Sequence, residues 1–182
     1  MIDFPFWMKG ERHFLPFHML SEAARHTLDE IRDNPYCASA YALKISTMLL
    51  SAIAIEALVN SVGLYKVSDW RKHKRKSPFQ KLELITKALD IDFSNKDSLW
   101  HDARYLIKFR NEIVHAEPIK LPINKEIMEE NFLDILDPAP SKIEEKITLE
   151  NAEKAYEIIE DLKSLLCSKM DAEEDSHFFV PH

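Results

Sequence analysis

Between residues 40 and 62 the chain carries an apolar pattern that leaves little choice of surroundings. Tyr41, Ile45, Met48, Ala52, Ile55, Val59 and Val62 recur at steps of three and four, the spacing of one helix face. Leu49, Leu50, Ile53 and Leu58 occupy the other faces. A helix apolar nearly all round belongs at the centre of a bundle or in an interface between subunits, because water would otherwise meet one of its sides. Glu56 and Asn60, one turn apart, interrupt the pattern. A carboxylate so placed needs a partner. The stretch 48–62 contains Glu56 and is short for a bilayer crossing, so no membrane segment is expected.

The remainder of the chain reads as more helix. Only 2 of 182 residues are Gly. That argues against glycine-rich phosphate loops, dinucleotide folds and turn-dense β-sandwiches, which need Gly where the backbone takes positive φ. A first helix is expected over 17–32. Asn34-Pro35 predicts the start of the next, with Asn34 as N-cap and Pro35 at the first helical position. Ser77-Pro78-Phe79-Gln80 has the form of a capping box and predicts a helix to about residue 89. Ser94 or Asp97 can cap another that runs to about residue 115, where Pro118 stops it. Thr148 caps a last helix with the stripe Leu149, Ala152, Tyr156, Ile159, Leu162 and Leu166. The expected fold is all-α, an up-and-down bundle of four to five main helices. An arm over 1–16 precedes a single domain over 17–170, and an acidic tail over 171–182 follows it. Within the domain, Pro118, Pro122, Pro138 and Pro140 mark an excursion over 117–147, with a short helix expected at 125–136.

The net charge of −7 argues against a wholly basic nucleic-acid binder. Residues 71–76 depart from it, with Arg71, Lys72, Lys74, Arg75 and Lys76 in one run. Such a run either contacts an RNA backbone, with Trp70 and Phe79 stacking on bases, or forms a solvated loop between helices. Cys37 and Cys167 lie far apart and fit no metal spacing, which favours a reducing compartment and packed thiols. The N-terminus has acid and Pro where a signal peptide needs a basic end and an apolar run, so a cytoplasmic location is expected.

The segment 98–115 holds the residues best suited to chemistry. Its inward stripe is Leu99, Ala103, Leu106, Arg110 and Ile113, so a guanidinium stands where the period calls for Leu. Burying it is costly unless it is paired or faces a polar cleft. Glu56 is the candidate partner. Asn111 and His115 are one turn apart and share a face. The carbonyl-rich end of a helix favours positive charge. A constant cation, an amide and an imidazole thus gather around one helix terminus, a combination suited to phosphate.

Arg110-Asn111-x-x-x-His115 resembles the signature of the HEPN superfamily (higher eukaryotes and prokaryotes nucleotide-binding): Arg, four to six residues, then His, often with Asn or Asp after the Arg. The surroundings are similar too, with a long apolar helix ahead of the motif and the motif near the end of a late helix. The resemblance spans roughly residues 20–170 and implies a helical bundle, a homodimer whose two motifs share a cleft, and a metal-independent endoribonuclease. It implies that His115 acts as general acid–base on the RNA 2′-hydroxyl or the leaving oxygen, and that Arg110 holds the scissile phosphate. Asn111 would orient phosphate or imidazole, and Glu56 would fix the Arg110 rotamer. The implied product is a 2′,3′-cyclic phosphate, with no cofactor. A toxin–antitoxin, abortive-infection or other stress setting, with an antitoxin protein as partner, is implied as well. The same fold without catalysis would be an RNA- or nucleotide-binding or protein-interaction module. A remoter reading takes Glu112-x-x-His115 as half of a di-iron site, with Glu174-x-x-His177 as the other half and Glu56 and Glu22 as extra carboxylates.

Overall fold

A computed structural model describes residues 15–93, 98–118, 120 and 140–170. Among them are five α-helices and no strand: α1 (Pro16–Asp33), α2 (Ala40–Lys66), α3 (Pro78–Ala88), α4 (Ser98–Val114) and α5 (Leu149–Cys167). Short 3₁₀ turns occupy Trp70–His73 and Glu144–Lys146. The described residues are therefore all-α, the class that the Gly-poor sequence points to.

The long apolar helix is α2, and α1, α3, α4 and α5 all pack on it. Met48, Ala52, Ile55, Leu58, Val59 and Val62 are buried along its length. They meet Phe17 and Leu28 from α1, Leu82 and Ile85 from α3, Trp100 and Leu106 from α4, and Ile159 and Leu162 from α5 in one core. The helices around α2 are amphipathic, so each can bury one face against it and keep the other in water. Thr27 and Thr47 meet hydroxyl to hydroxyl at 2.8 Å, while Leu15 and Leu20 lie beside Ala57 and Leu64. These pairs make α1 and α2 antiparallel. Arg32 with Glu153 at 2.9 Å and Ser21 with Glu160 at 3.1 Å make α1 and α5 antiparallel too.

Local start signals explain two helix beginnings. Ser77 Oγ accepts from the Gln80 amide at 3.3 Å, and Gln80 Oε1 accepts from the Ser77 amide at 3.0 Å, completing the capping box of α3. Thr148 Oγ1 accepts from the Asn151 amide at 3.1 Å and caps α5. Asn34-Pro35 does not start a helix, in contrast to its sequence signal. Residues 34–39 form turns, with the Cys37 amide donating to Asn34 O and the Ala40 amide to Cys37 O. Tyr36 is 97% exposed, and the first buried residue of this region is Ala40. A cap signal cannot extend a helix whose first turn has no core to cover. For the same reason Tyr41 is exposed rather than part of the buried stripe.

The expectation that the apolar segment is short for a bilayer also needs correction. At 27 residues α2 is long and apolar enough, by length and composition, to cross one. Here it is the core helix, enclosed by four others. Neither cysteine forms a disulfide: Cys167 is buried on α5 and Cys37 is half-buried in the turn before α2. The expected caps at Ser94 and Asp97, the helix at 125–136, residues 1–14 of the arm and the tail from 171 lie outside the described residues.

The C-terminal end of α2 is tied to the following turn by one close approach. The Trp70 indole lies over Gly63 so closely that a Cβ there would fall 2.4 Å from Trp70 Cζ2. Trp70 is 8% exposed. Gly63→Ala should gain about 1 kcal/mol of helix propensity and lose roughly 1–3 kcal/mol to overpacking against this buried ring. A net loss is expected in urea unfolding, and a raised midpoint would show that the ring yields freely.

Candidate functional site

The last turns of α4 hold the candidate residues. Trp100, Ala103, Leu106, Ile107 and Phe109 are buried and fix the helix against the core. Leu99 and Ile113 lie half-buried at the edges of the same face. With this register Arg110 follows Leu106 by one turn and reaches the rim of the core, its side chain 29% exposed. Its guanidinium makes two contacts. Nη2 donates to Glu56 Oε2 at 3.2 Å, and Nη1 donates to Asn111 Oδ1 at 2.8 Å. The Glu56 side chain is 31% exposed, so neither charge is cut off from water. The two interruptions of apolar pattern, one on α2 and one on α4, therefore meet each other.

His115 stands just past the end of α4. Its backbone amide donates to Asn111 O at 3.0 Å, which continues the last helical turn, and the residue is exposed. Among the described residues its imidazole makes no hydrogen bond or ion pair. Asn111 engages the guanidinium rather than the imidazole. The arrangement is a guanidinium fixed in direction, with an imidazole one turn further along the helix and open to solvent. Chemically it can hold an anion and move a proton beside it.

The neighbouring carboxylate has a different role. Glu112 Oε2 accepts from Lys146 Nζ at 2.6 Å, and Lys108 Nζ lies 3.8 Å from Oε1. This ties the 3₁₀ turn ahead of α5 to the end of α4. Two lysines thus occupy the carboxylate that a Glu112-x-x-His115 metal pair requires. Glu56 is held by Arg110, and Glu22 by Arg25 at 2.8 Å. Among the described residues no group of three or more His, Cys, Asp or Glu side chains is placed to hold a metal ion. Glu174 and His177 lie outside the described residues.

The basic run is an exposed turn. Arg71, Lys72, Lys74, Arg75 and Lys76 all face solvent, and Lys72 pairs with Asp69. Trp70 is not free to stack on a base, because it is buried over Gly63 and serves as the anchor of the turn. Phe79 is half-buried, packed on Phe93 with ring centroids 5.4 Å apart and covered by the Arg104 guanidinium at 5.1 Å. The charges of the run are thus available, and the aromatic rings proposed beside them are engaged elsewhere.

Two features were not read from sequence. A groove of about 490 Å³ runs beside Glu56 between the start of α1 and α2, with Leu20, Ile53, Ala57 and Leu64 along it. Ile53 and Leu64 are 38% and 59% exposed. Lys81 on α3 is 5% exposed, and its ammonium donates to Asn60 Oδ1 at 3.0 Å. Its position one turn before buried Ile85 was the only sequence signal for it.

Compared with protein-family models, with curated proteins and with solved structures, the chain finds no match.

The Lys146 contact holds the Glu112 carboxyl below the usual carboxylate range, with Lys108 adding attraction and partial burial opposing it. A carboxyl lowered in the folded state stabilises the fold above its unfolded pKa. That contribution is lost as pH falls through the folded value. Lys146→Met should move the Glu112 titration upward, as followed by NMR, and shift acid unfolding to higher pH. A titration that stays put would mean that the pair does not form in solution.

Proposed function

We propose that this chain is a metal-independent endoribonuclease of HEPN type, acting as a homodimer. The observation that carries the reading is the fixed guanidinium of Arg110, held by Glu56 and Asn111, with the open imidazole of His115 one turn beyond it. In this reading the RNA 2′-oxygen attacks the adjacent phosphorus and the bond to the 5′-oxygen breaks. The 2′-hydroxyl proton passes to an imidazole, and the leaving 5′-oxygen takes up a proton. The products are a 2′,3′-cyclic phosphate and a 5′-hydroxyl. Arg110 stays protonated throughout and stabilises the charge added to the phosphoryl oxygens. Glu56 and Asn111 hold the guanidinium so that it need not be ordered when substrate arrives.

A shared cleft in a dimer supplies two imidazoles, one for each proton. The exposed Ile53 and Leu64 on the side of α2 that bears Glu56 supply apolar surface for such a contact. The exposed basic turn supplies charge for the RNA backbone. The cytoplasmic location, the stress-response setting and an antitoxin partner belong to the same proposal.

A second reading keeps the fold without catalysis, as an RNA-binding or protein-interaction module. The Arg110–Glu56 contact favours it to this extent: an ion pair can satisfy a guanidinium at a core edge for structural reasons alone.

Cleavage of a mixed RNA pool in excess EDTA separates the two. Wild type should cut and leave 2′,3′-cyclic ends. His115→Ala and Arg110→Ala should each lose at least about 100-fold in rate. Both should melt near wild type, because ion pairs open to water contribute on the order of 1 kcal/mol or less. Full activity in either variant would remove these residues from the chemistry, and inactivity of wild type would favour the binding module. Charge reversal of Lys72, Lys74 and Arg75 should weaken RNA binding most at low salt, as read by titration at several ionic strengths. An unchanged affinity would make the run a solvated loop.

A further inference from the structure

A second cavity opens between α4 and α5, and none of Arg110, Asn111, His115 or Glu56 lines it. It holds about 220 Å³. Its floor is Met48, Leu106, Ala155 and Ile158, all buried, so whatever fills it must present an apolar body. Pockets for drug-sized ligands measure roughly 300–1,000 Å³, and a dry apolar cavity of about 150 Å³ already takes one benzene. The space therefore suits one ring or one branched aliphatic chain.

The mouth is polar and charged with both signs. Asp102 Oδ2 stands 3.0 Å from Lys154 Nζ, and Asp102 Oδ1 stands 3.5 Å from His101 Nδ1. Asn151 donates one of its two Nδ2 hydrogens to Lys146 O at 2.8 Å, which orients the amide and leaves its oxygen to accept. The 38% exposed ring of Tyr105 stands beside them.

These charges narrow the class of ligand. A lone cation drawn to Asp102 stands beside the Lys154 ammonium, and a lone anion drawn to Lys154 stands beside the Asp102 carboxylate, so each meets a like charge. An uncharged apolar molecule fills the floor and leaves the mouth unused. A zwitterion whose ammonium and carboxylate are attached to one carbon lies across the pair, opposite sign to opposite sign, and meets no like charge. We propose that this cavity binds a free apolar α-amino acid of leucine to phenylalanine size. Its side chain rests on Met48, Leu106, Ala155 and Ile158. Its ammonium meets Asp102 and the Asn151 amide oxygen, and its carboxylate meets Lys154. This site does not depend on RNA cleavage.

Titration calorimetry on the full chain tests it with L-leucine and L-phenylalanine. N-acetyl-L-leucine lacks the ammonium, L-leucinamide lacks the carboxylate, and toluene lacks both. At least one of the two amino acids should bind. Each single-charge analogue, and each of Asp102→Asn and Lys154→Met, should lose at least about tenfold in affinity, the scale of a hydrogen bond to a charged group. Ala155→Met fills the floor and should abolish binding. If that variant does not fold, the two mouth variants decide the matter. No binding of either amino acid at millimolar concentration would overturn the proposal. Toluene binding as tightly as phenylalanine would overturn it as well, and so would mouth variants with unchanged affinity.

Discussion

A helix with apolar side chains on almost every face has to be covered from several directions at once, and the fold follows from meeting that demand. The four helices that cover α2 come from both sides of it in sequence. Their own apolar stripes are one-sided, so each contributes one wall and none can serve as the centre. The cover is incomplete only near the ends and along one edge. Tyr41 lies beyond it at the start, Leu64 near the finish, and Ile53 beside the α1 groove. The fold is thus organised by burial around one element, and its open apolar surface belongs largely to that same element.

Within that arrangement the Glu56–Arg110 contact is a consequence before it is a device. α2 needs a neighbour on the face that carries Glu56, and α4 supplies one whose own stripe is broken at the matching height. A pair with side chains 29% and 31% exposed contributes little to stability beside the core around it. Its larger effect is on direction. Two acceptors on different elements, Glu56 Oε2 and Asn111 Oδ1, take two nitrogens of one planar group and leave it a narrow range of orientations. His115 is treated differently. It sits on the first turn outside α4, where among the described residues no side chain engages it, so the cation is fixed while the imidazole is exposed.

The other charged contacts of α4 show the same separation by position. Lys154 reaches Asp102 from α5, and Lys146 reaches Glu112 from the turn ahead of α5. Both lie along the outside of the α4–α5 seam, at the edges of apolar contact rather than inside it. Between them the seam does not close over its buried floor, and a cavity remains with charged groups only at its mouth. The helix that carries the guanidinium is therefore held by the core it shares with α2 and α5, and its outer seam with α5 is bordered by charges that water can reach.

The all-helical class, the core helix and the start signals at Ser77 and Thr148 were legible in the sequence, because each depends on residues within a few positions of one another. Arg110 and Glu56 were legible as anomalies in two periodic patterns, and complementary charge named each as the other's partner. The Asn34-Pro35 signal misled because a local cap competes with where the core begins, and the core begins at Ala40. Trp70 misled because an aromatic beside basic residues looks like a stacking platform, while Gly63, seven residues back, makes the gap that receives its ring. The groove beside Glu56 and the mouth of the α4–α5 cavity were not legible at all, and the burial of Lys81 only through its place one turn before Ile85. They are made by side chains far apart along the chain, whose meeting depends on how the helices cross. What the sequence by itself determined was which segments become helices and which faces must be hidden, since periodicity and caps act within a few turns. Which polar groups meet, which aromatics are spent on packing and where space is left open were decided only by tertiary packing, since no local rule carries the distance between helices.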